Sequence, residues 1–296
     1  MVKTAWVFPG QGSQSVGMGE DLMELPAAKE RLAICDDILG WSIAAVCQSK
    51  DDKVSNTLYT QPCLYFVESL LVDLLKKQGQ EPDLTAGHSL GEYVALYAAG
   101  VFDFNVGLRL VKLRGELMSQ ASEGIMAALI GFDREALEAK ISDTEGVVLA
   151  NDNSPGQAVI SGTQEAVELV LNGVKIKRAV KLNVSGAFHS PLMAPAAREF
   201  QEVLNVVEFQ TAQVPVLSNV NPTPTTDAEM LKQYLTQQMT GSVRWREISL
   251  ALPEQGIERA VEVGPGNVLM GLIKRTVKTL RLTNVGSLEQ LGALPA

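Results

Sequence analysis

Hydrophobic and polar positions follow two different periods along this chain. Short apolar runs that suit buried strands occur at Thr4 to Phe8, Leu84 to Ala86 and Ala260 to Val263. Between them, Leu64 to Lys77 and residues 105–120 place apolar residues three or four positions apart, which predicts helices with one buried face. Strands that alternate with helices predict an α/β fold built on a mainly parallel sheet.

The pattern changes between residues 124 and 189. Here the predicted order is strand, helix, two strands, helix and a last strand at Ala179 to Val184. That order in a short span is typical of a ferredoxin-like module. We therefore predict a ferredoxin-like subdomain over residues 124–189, inserted into a larger catalytic domain formed by residues 1–123 and 190–296.

Composition narrows the classes of function. The net charge of −9 argues against nucleic acid as the main partner, and no apolar run is long enough to predict a membrane span. The three cysteines, Cys35, Cys47 and Cys63, have no C-x-x-C spacing, so the sequence predicts neither a disulfide framework nor a metal site. A reducing, cytoplasmic location fits this cysteine usage best.

The pentapeptide Gly87-His88-Ser89-Leu90-Gly91 lies between a predicted strand and a helix-like run from Glu92 to Ala99. A nucleophile elbow needs this context, because the serine stands on a tight turn where strand and helix nearly touch and only small neighbours fit. The pattern predicts that Ser89 is the nucleophile of an acyl-handling enzyme. The alternative is a glycine-rich turn that contains a serine by chance.

Only two histidines can serve as the base for this serine. His88 adjoins Ser89, and neighbouring side chains on such a corner diverge, so His88 is poorly placed to face the hydroxyl. His189 lies one hundred positions further on, in a loop-like segment where the predicted insert rejoins the larger domain. We predict that His189 is the base.

Arg114 is unusual among the basic residues because its helical neighbours are all apolar. A guanidinium on such a face needs an anion, since its burial without a partner is costly. Spacing leaves two alternatives open: an internal Asp or Glu, and a substrate carboxylate held in bidentate geometry. The neighbours three and four positions away are Leu110, Val111, Leu117 and Met118.

Several blocks of sequence together resemble the signature motifs of malonyl-CoA:acyl carrier protein transacylases, in the same order over the whole chain. The resemblance implies a large α/β-hydrolase-like domain that carries the ferredoxin-like subdomain. It also implies transfer of malonyl from malonyl-CoA to acyl carrier protein for fatty acid synthesis, with coenzyme A thioester as substrate and no cofactor. The blocks are Phe8-Pro9-Gly10-Gln11-Gly12-Ser13-Gln14, Gly87-His88-Ser89-Leu90-Gly91-Glu92-Tyr93, Arg114-Gly115 with Met118, Ala187-Phe188-His189-Ser190-Pro191-Leu192-Met193 and Glu262-Val263-Gly264-Pro265-Gly266.

The resemblance implies roles for the matching residues. Ser89 would be the nucleophile, His189 the base and Arg114 the clamp for the malonate carboxylate. The backbone N–H groups of Gln11 and Leu90 would form the oxyanion hole. The residues implied to line the substrate pocket are His88, Met118, Gln61 and Phe188.

Family members orient the histidine through a main-chain carbonyl, and the matching residue is Gln238. A neutral carbonyl stabilises imidazolium less than a carboxylate does, which suits a transferase that must not activate water. The alternative is an ordinary glutamine at a helix end.

Three other functions stay open at this stage. A serine esterase or thioesterase would share the elbow, but it would need a carboxylate behind the histidine and has no use for Arg114. A non-catalytic module that binds carrier protein would keep only basic surfaces. A transacylase that serves polyketide synthesis would share every motif.

Overall fold

A parallel sheet of five strands forms the centre of the larger part of the molecule. The computed structural model describes residues 2–293; Met1 and residues 294–296, which the predicted domain bounds include, lie outside this range. All strand pairs of this sheet are parallel, in the order β7-β2-β1-β8-β9. The strands are β1 (Thr4–Phe8), β2 (Leu84–Gly87), β7 (Val216–Leu217), β8 (Arg259–Val263) and β9 (Arg281–Val285).

Helices cover both faces of this sheet, which explains why β1 is buried at all five positions. Two separate clusters of buried side chains lie against the sheet: Trp6 and Phe8 belong to one, Ala5 and Val7 to the other. The helices are α1 (Glu20–Met23), α2 (Pro26–Leu39), α3 (Ile43–Cys47), α4 (Thr57–Lys77), α5 (Gly91–Ala98), α6 (Phe104–Gln120), α9 (Ala194–Val206), α10 (Ala228–Gln237), α11 (Trp245–Glu254), α12 (Val268–Thr276) and α13 (Leu288–Gly292).

A second sheet is antiparallel and has its own apolar core. Its strand order is β4-β5-β3-β6, and two helices pack on one face. The two helices pack mainly against β3, β4 and β5, and five of the six residues of the edge strand β6 are exposed. The elements are β3 (Ile125–Phe132), α7 (Arg134–Ser142), β4 (Val147–Ser154), β5 (Gln157–Gly162), α8 (Gln164–Gly173) and β6 (Ile176–Lys181).

The prediction of an α/β fold with a mainly parallel sheet is confirmed, and two predicted bounds are wrong. The predicted helix from Leu64 begins seven residues earlier, at Thr57, where Asn56 caps it by accepting the N–H of Leu58. The last strand of the small sheet is Ile176–Lys181, because it pairs with β3 from Phe132 to Ala127. Lysine-rich sequence is common on such edges, since charge discourages pairing with other chains.

The two sheets are joined through β4. Asn151 forms a parallel bridge with Val243, the N–H of Asp152 donates to the carbonyl of Val243, and the N–H of Val243 donates to Ala150. The Asp152 carboxylate accepts from Arg246 Nε on α11 at 2.8 Å. The loop before α11 is therefore fixed to the small sheet. Among residues 2–293, no helix has the length and apolar character needed to cross a membrane.

Candidate active site

Ser89 stands on a sharp turn between β2 and α5. Its φ is +51°, in the left-handed region that a residue with a side chain rarely adopts. The turn fits against β1 because Gly91 has no Cβ: an added Cβ would lie 2.0 Å from the carbonyl oxygen of Phe8. At Gly87 an added Cβ would lie 1.9 Å from the backbone of Gly91. The glycines of the pentapeptide thus permit the strand and helix to approach each other.

His189 contacts the serine directly. Its Nε2 lies 2.8 Å from Ser89 Oγ, and its Nδ1 lies 2.9 Å from the carbonyl oxygen of Gln238 and 3.1 Å from that of Gly241. Carbonyls only accept, so Nδ1 carries the proton and the Nε2 lone pair faces the hydroxyl. Burial, with the nearby charge of Arg114, lowers the pKa of His189 to about 3. The imidazole is therefore neutral at physiological pH, as a base must be.

Arg114 brings a buried positive charge to the same point. The residue is 1% exposed, and burial lowers the pKa of its guanidinium. Nη2 donates to Ser89 Oγ at 3.0 Å and to Gln238 Oε1 at 3.1 Å, while Nη1 donates to Gln61 Oε1 at 2.8 Å. All three acceptors are neutral, and Nε has no acceptor within residues 2–293. The sequence left two possible anions for Arg114, an internal Asp or Glu and a substrate carboxylate. In the described chain, no Asp or Glu forms an ion pair or hydrogen bond with this guanidinium.

The loop after β1 passes beside the elbow. A Cβ added at Gly10 would lie 2.4 Å from the carbonyl oxygen of His88 and 3.6 Å from the backbone nitrogen of Leu90. The next residue, Gln11, is held by a bond from its Nε2 to Thr57 Oγ1 at 3.0 Å. Neither the N–H of Gln11 nor that of Leu90 donates to any acceptor in the described part of the chain. Two unused donors therefore lie close to the nucleophile.

The other predicted pocket residues have different surroundings. His88 faces away from the serine: its Nε2 lies 2.8 Å from Asn153 Oδ1 of the small sheet. Burial lowers the pKa of His88, so it is a neutral ring that donates to this oxygen. Met118 is buried and its Sδ accepts from Gln61 Nε2 at 3.4 Å. Phe188, next to His189, is 5% exposed.

Three polar residues at the site were not predicted from the sequence. Asn219 Oδ1 accepts the N–H of Ser89 at 2.7 Å, and Asn219 Nδ2 donates to the carbonyl of Gly87 at 2.5 Å. Asn153 contacts His88, and Glu92 contacts Gln238 Nε2 at 2.8 Å. Of these three, only Glu92 lies inside one of the sequence blocks that carry the family resemblance.

Comparison with known proteins gives matches over almost the whole chain. The acyl transferase domain family matches residues 5–294. The malonyl CoA-acyl carrier protein transacylase of Synechocystis sp. is 56% identical over 99% of this chain and 100% of its own. The crystal structure of the Synechocystis sp. PCC 6803 malonyl-CoA:ACP transacylase covers the same shares with a TM-score of 0.97. A type II PKS acyl-carrier protein in complex with its malonyl-transacylase gives a TM-score of 0.91, with 39% identity over 98% of this chain and 97% of that one.

Proposed function

Because this chain belongs to the malonyl-CoA:acyl carrier protein transacylase family, we propose that it transfers malonyl to the phosphopantetheine thiol of acyl carrier protein through a malonyl ester on Ser89. The chain is an acyltransferase. The observation that carries the proposed route is the position of Ser89 Oγ, which contacts both His189 Nε2 and Arg114 Nη2. An acyl group whose carboxylate binds the arginine is thereby held beside the nucleophile.

In the first half-reaction Ser89 Oγ attacks the thioester carbonyl as its proton passes to His189 Nε2. The N–H groups of Gln11 and Leu90 are the proposed donors to the oxyanion. The C–S bond then breaks, His189 returns the proton to the sulfur, and coenzyme A leaves as the thiol. Malonyl remains as an ester on Ser89.

The second half-reaction runs the same steps with a new thiol. His189 removes the proton of the phosphopantetheine thiol, sulfur attacks the ester, and the proton returns to Ser89 Oγ as the C–O bond breaks. Two neutral carbonyls behind His189 stabilise imidazolium less than a carboxylate would. This supports thiol over water as the acceptor, because a thiol needs less activation.

Malonyl selectivity is assigned to Arg114. The resting guanidinium has only neutral acceptors, and its Nε has none within residues 2–293, so a carboxylate supplies the charge that those contacts lack. An acetyl group leaves the arginine buried without an anion. Gln61 of α4 accepts from the guanidinium and is itself held by Met118 Sδ, and Phe188 is proposed to form an apolar wall.

The finer features of the fold belong to the same proposal. We assign residues 124–189 to a ferredoxin-like subdomain, which the element order βαββαβ supports, and residues 1–123 with 190–296 to an α/β-hydrolase-like domain. The proposed mechanism uses no cofactor. The cytoplasm is the proposed location, and the three free, buried cysteines are consistent with it.

A basic surface at the small sheet is a proposed landing site for an acidic carrier protein. Ile130, which is 41% exposed, pairs with Gln157 on one side and Arg178 on the other. Gln157 Oε1 in turn accepts from Arg275 Nη1 of α12 at 2.9 Å. Two arginines from distant segments therefore flank one exposed apolar residue. This arrangement suits charge-steered docking.

Intact-mass measurement after mixing with malonyl-CoA tests the proposed function. One malonyl group should add to the protein, and Ser89→Ala should abolish the adduct. An adduct that persists in Ser89→Ala would refute the intermediate. Faster hydrolysis of simple esters than transfer to a thiol would favour the esterase alternative.

A polyketide role is the second candidate, since one similar structure is that of a type II PKS pair. Transfer rates to carrier proteins of both kinds, measured side by side, separate it from fatty acid synthesis.

The proposed landing site can be tested in the same assay. Arg178→Glu should raise KM for carrier protein without changing KM for malonyl-CoA. Lys29→Glu on α2 is the charge-matched control.

A further inference from the structure

Gln238 contacts all three of the principal site residues. Its main-chain oxygen accepts from His189 Nδ1 at 2.9 Å, and its side-chain Oε1 accepts from Arg114 Nη2 at 3.1 Å. Its Nε2 donates to the carbonyl of Ser89 at 2.8 Å. The residue is fully buried. A change in its side-chain orientation therefore reaches the arginine and the backbone of the nucleophile together, while its main chain holds the base.

An amide side chain has two ends of nearly equal shape, so its contacts decide which end faces which way. Arg114 can only donate, and it requires Oε1. On the opposite side, Glu92 Oε2 accepts from Gln238 Nε2 at 2.8 Å. The same Oε2 takes a second N–H, from Asn219, so it acts as an acceptor and requires Nε2. The amide is thus held in one orientation from both sides.

Glu92 also supports the elbow by a second route. The same Oε2 accepts the N–H of Asn219 at 3.2 Å, and Asn219 holds the backbone of Ser89 and Gly87. Glu92 is 1% exposed, in the first turn of α5. Burial raises the pKa of Glu92, while the bonds from Gln238 and Asn219 and the charge of Arg114 oppose that rise. It is also the one carboxyl among the groups that act on the pKa of Arg114.

We propose that Glu92 is a positioning residue which, through the Gln238 amide, fixes Arg114 for the substrate carboxylate. The inference rests on the proposed function and deepens it. The positive charge of Arg114 is matched by a carboxylate one amide away, and no direct ion pair forms. A direct pair would occupy the guanidinium that the substrate must reach. Placing the carboxylate behind Gln238 retains the anion and leaves Arg114 Nε without an acceptor within residues 2–293.

Glu92→Gln tests this arrangement with little change in shape. A glutamine at position 92 can present either end to Gln238, so the amide loses one of its three constraints and keeps those from Arg114 and the Ser89 carbonyl. When the amide is reversed, its Nε2 faces Arg114, donor to donor, and the guanidinium must shift. We expect kcat/KM for malonyl-CoA to fall about tenfold or more, as the loss of a bond to a charged group implies. The value for acetyl-CoA, which does not use Arg114, should change far less.

A double-mutant cycle shows whether Glu92 acts through Gln238. Gln238→Met keeps the main-chain carbonyl for His189 but removes the amide. Gln238→Met should by itself lower the ratio of kcat/KM for malonyl-CoA to kcat/KM for acetyl-CoA, here called the malonyl-to-acetyl ratio. Adding Glu92→Gln should then lower this ratio no further. Glu92→Asp should restore part of the ratio. Glu68→Gln, at another buried glutamate, is the matched control and should leave the ratio unchanged.

The outcomes separate this inference from the proposed function. The positioning role would be overturned if Glu92→Gln lowered kcat/KM equally for malonyl-CoA and acetyl-CoA. It would also be overturned if Glu92→Gln lowered the malonyl-to-acetyl ratio by the same factor with and without Gln238→Met. If Glu92→Gln does not fold, an unchanged ratio in Gln238→Met alone overturns it. Absence of a malonyl adduct on wild-type Ser89 would instead remove the proposed function, whatever the ratios are.

Discussion

The parallel sheet and the antiparallel sheet contribute to the site in different ways. Ser89 follows a strand of the parallel sheet, and both Ser89 and His189 have positive φ, at 51° and 56°. Backbone strain of this kind persists only where the surrounding packing fixes it. The small sheet supplies Asn153 for His88 and a backbone pairing for the loop near Gly241. The nucleophile thus lies at the end of a strand of the parallel sheet, and the small sheet positions groups around it.

This division predicts that the largest effects come from residues buried in the larger part. Arg114→Ala should lower the malonyl-to-acetyl ratio of kcat/KM by roughly 10³-fold or more, since sites built around a buried polar partner can discriminate by 10⁴ to 10⁵. Arg114→Lys should keep only part of the wild-type malonyl-to-acetyl ratio, because an ammonium lacks the planar two-point contact. Both ratios come from one set of steady-state assays. A constant ratio in folded variants would make Arg114 a structural residue.

The two histidines differ in what they contact: His189 faces Ser89 of the larger part, and His88 faces Asn153 of the small sheet. His189→Ala should slow acylation by about 10² to 10⁴-fold, the usual contribution of a general base. His88→Ala should cost about tenfold or less, because His88 contacts the small sheet and not the serine hydroxyl. Single-turnover rates of malonyl addition to the enzyme measure both. If His88→Ala proves the slower variant, the two roles are exchanged.

Loss of the side-chain contact between the two sheets should lower malonyl transfer less than loss of Arg114 or His189. The Asp152 carboxylate accepts from Arg246 of α11 at 2.8 Å and from Arg134 of α7, beside the small sheet, at 2.7 Å. Arg246→Gln removes the contact between the sheets, but the backbone pairing with Val243 remains. We expect a fall of roughly threefold to tenfold in malonyl transfer, which fits the loss of one partly buried ion pair.

Arg134→Gln is the matched control for that experiment. It removes an arginine from the same carboxylate but leaves the contact between the sheets in place. Its effect on transfer should be smaller than that of Arg246→Gln, even where its effect on Tm is equal. Equal losses of activity in the two variants would show that the small sheet acts only through overall stability.

The sequence singled out three residues that the structure brings into contact, but not the residues that hold them in place. Ser89 has a local motif, His189 was one of only two histidines, and Arg114 lies among apolar helix positions. These signals can be read from neighbours in the chain. Asn219 and Asn153 carry no such signal, because they reach the elbow from 130 and 65 positions away through tertiary packing.

The wrong helix bound has a related physical cause. The first turns of α4 contain Thr60 and Gln61, which are fully buried although they are polar. Apolar periodicity is lost there because Gln61 faces Arg114 and Thr60 bonds to Val54 and Asn56. A pattern based on hydrophobic burial therefore fails where the helix enters the site. The same conflict between burial and polarity is expected wherever a fold contributes to function.

A smaller effect should appear in stability, at a buried carboxyl of the larger part. Glu68 of α4 is fully buried, and neither of its oxygens has a hydrogen-bond partner within residues 2–293. Burial, together with the nearby Glu262 carboxyl, raises the pKa of Glu68 well above its ordinary value of 4.5. The folded protein thus keeps this proton at pH values where the unfolded chain has lost it. The contribution of Glu68 to the free energy of unfolding is fully present below about pH 4.5 and is lost as the pH rises towards the folded pKa.

Glu68→Gln removes this dependence, because the amide is neutral at every pH. The variant should be more stable than the wild type at pH 7, on the order of 1 kcal/mol, or a few degrees in Tm. The gain should shrink as the pH approaches 4.5, where both proteins carry a neutral group. Thermal melts at several pH values measure it, and Glu138→Gln on the exposed face of α7 is the control from the small sheet. If Glu68→Gln is less stable at pH 7, the carboxyl is ionised and paired in the folded protein. The buried polar groups of the larger part would then contribute stability as well as chemistry.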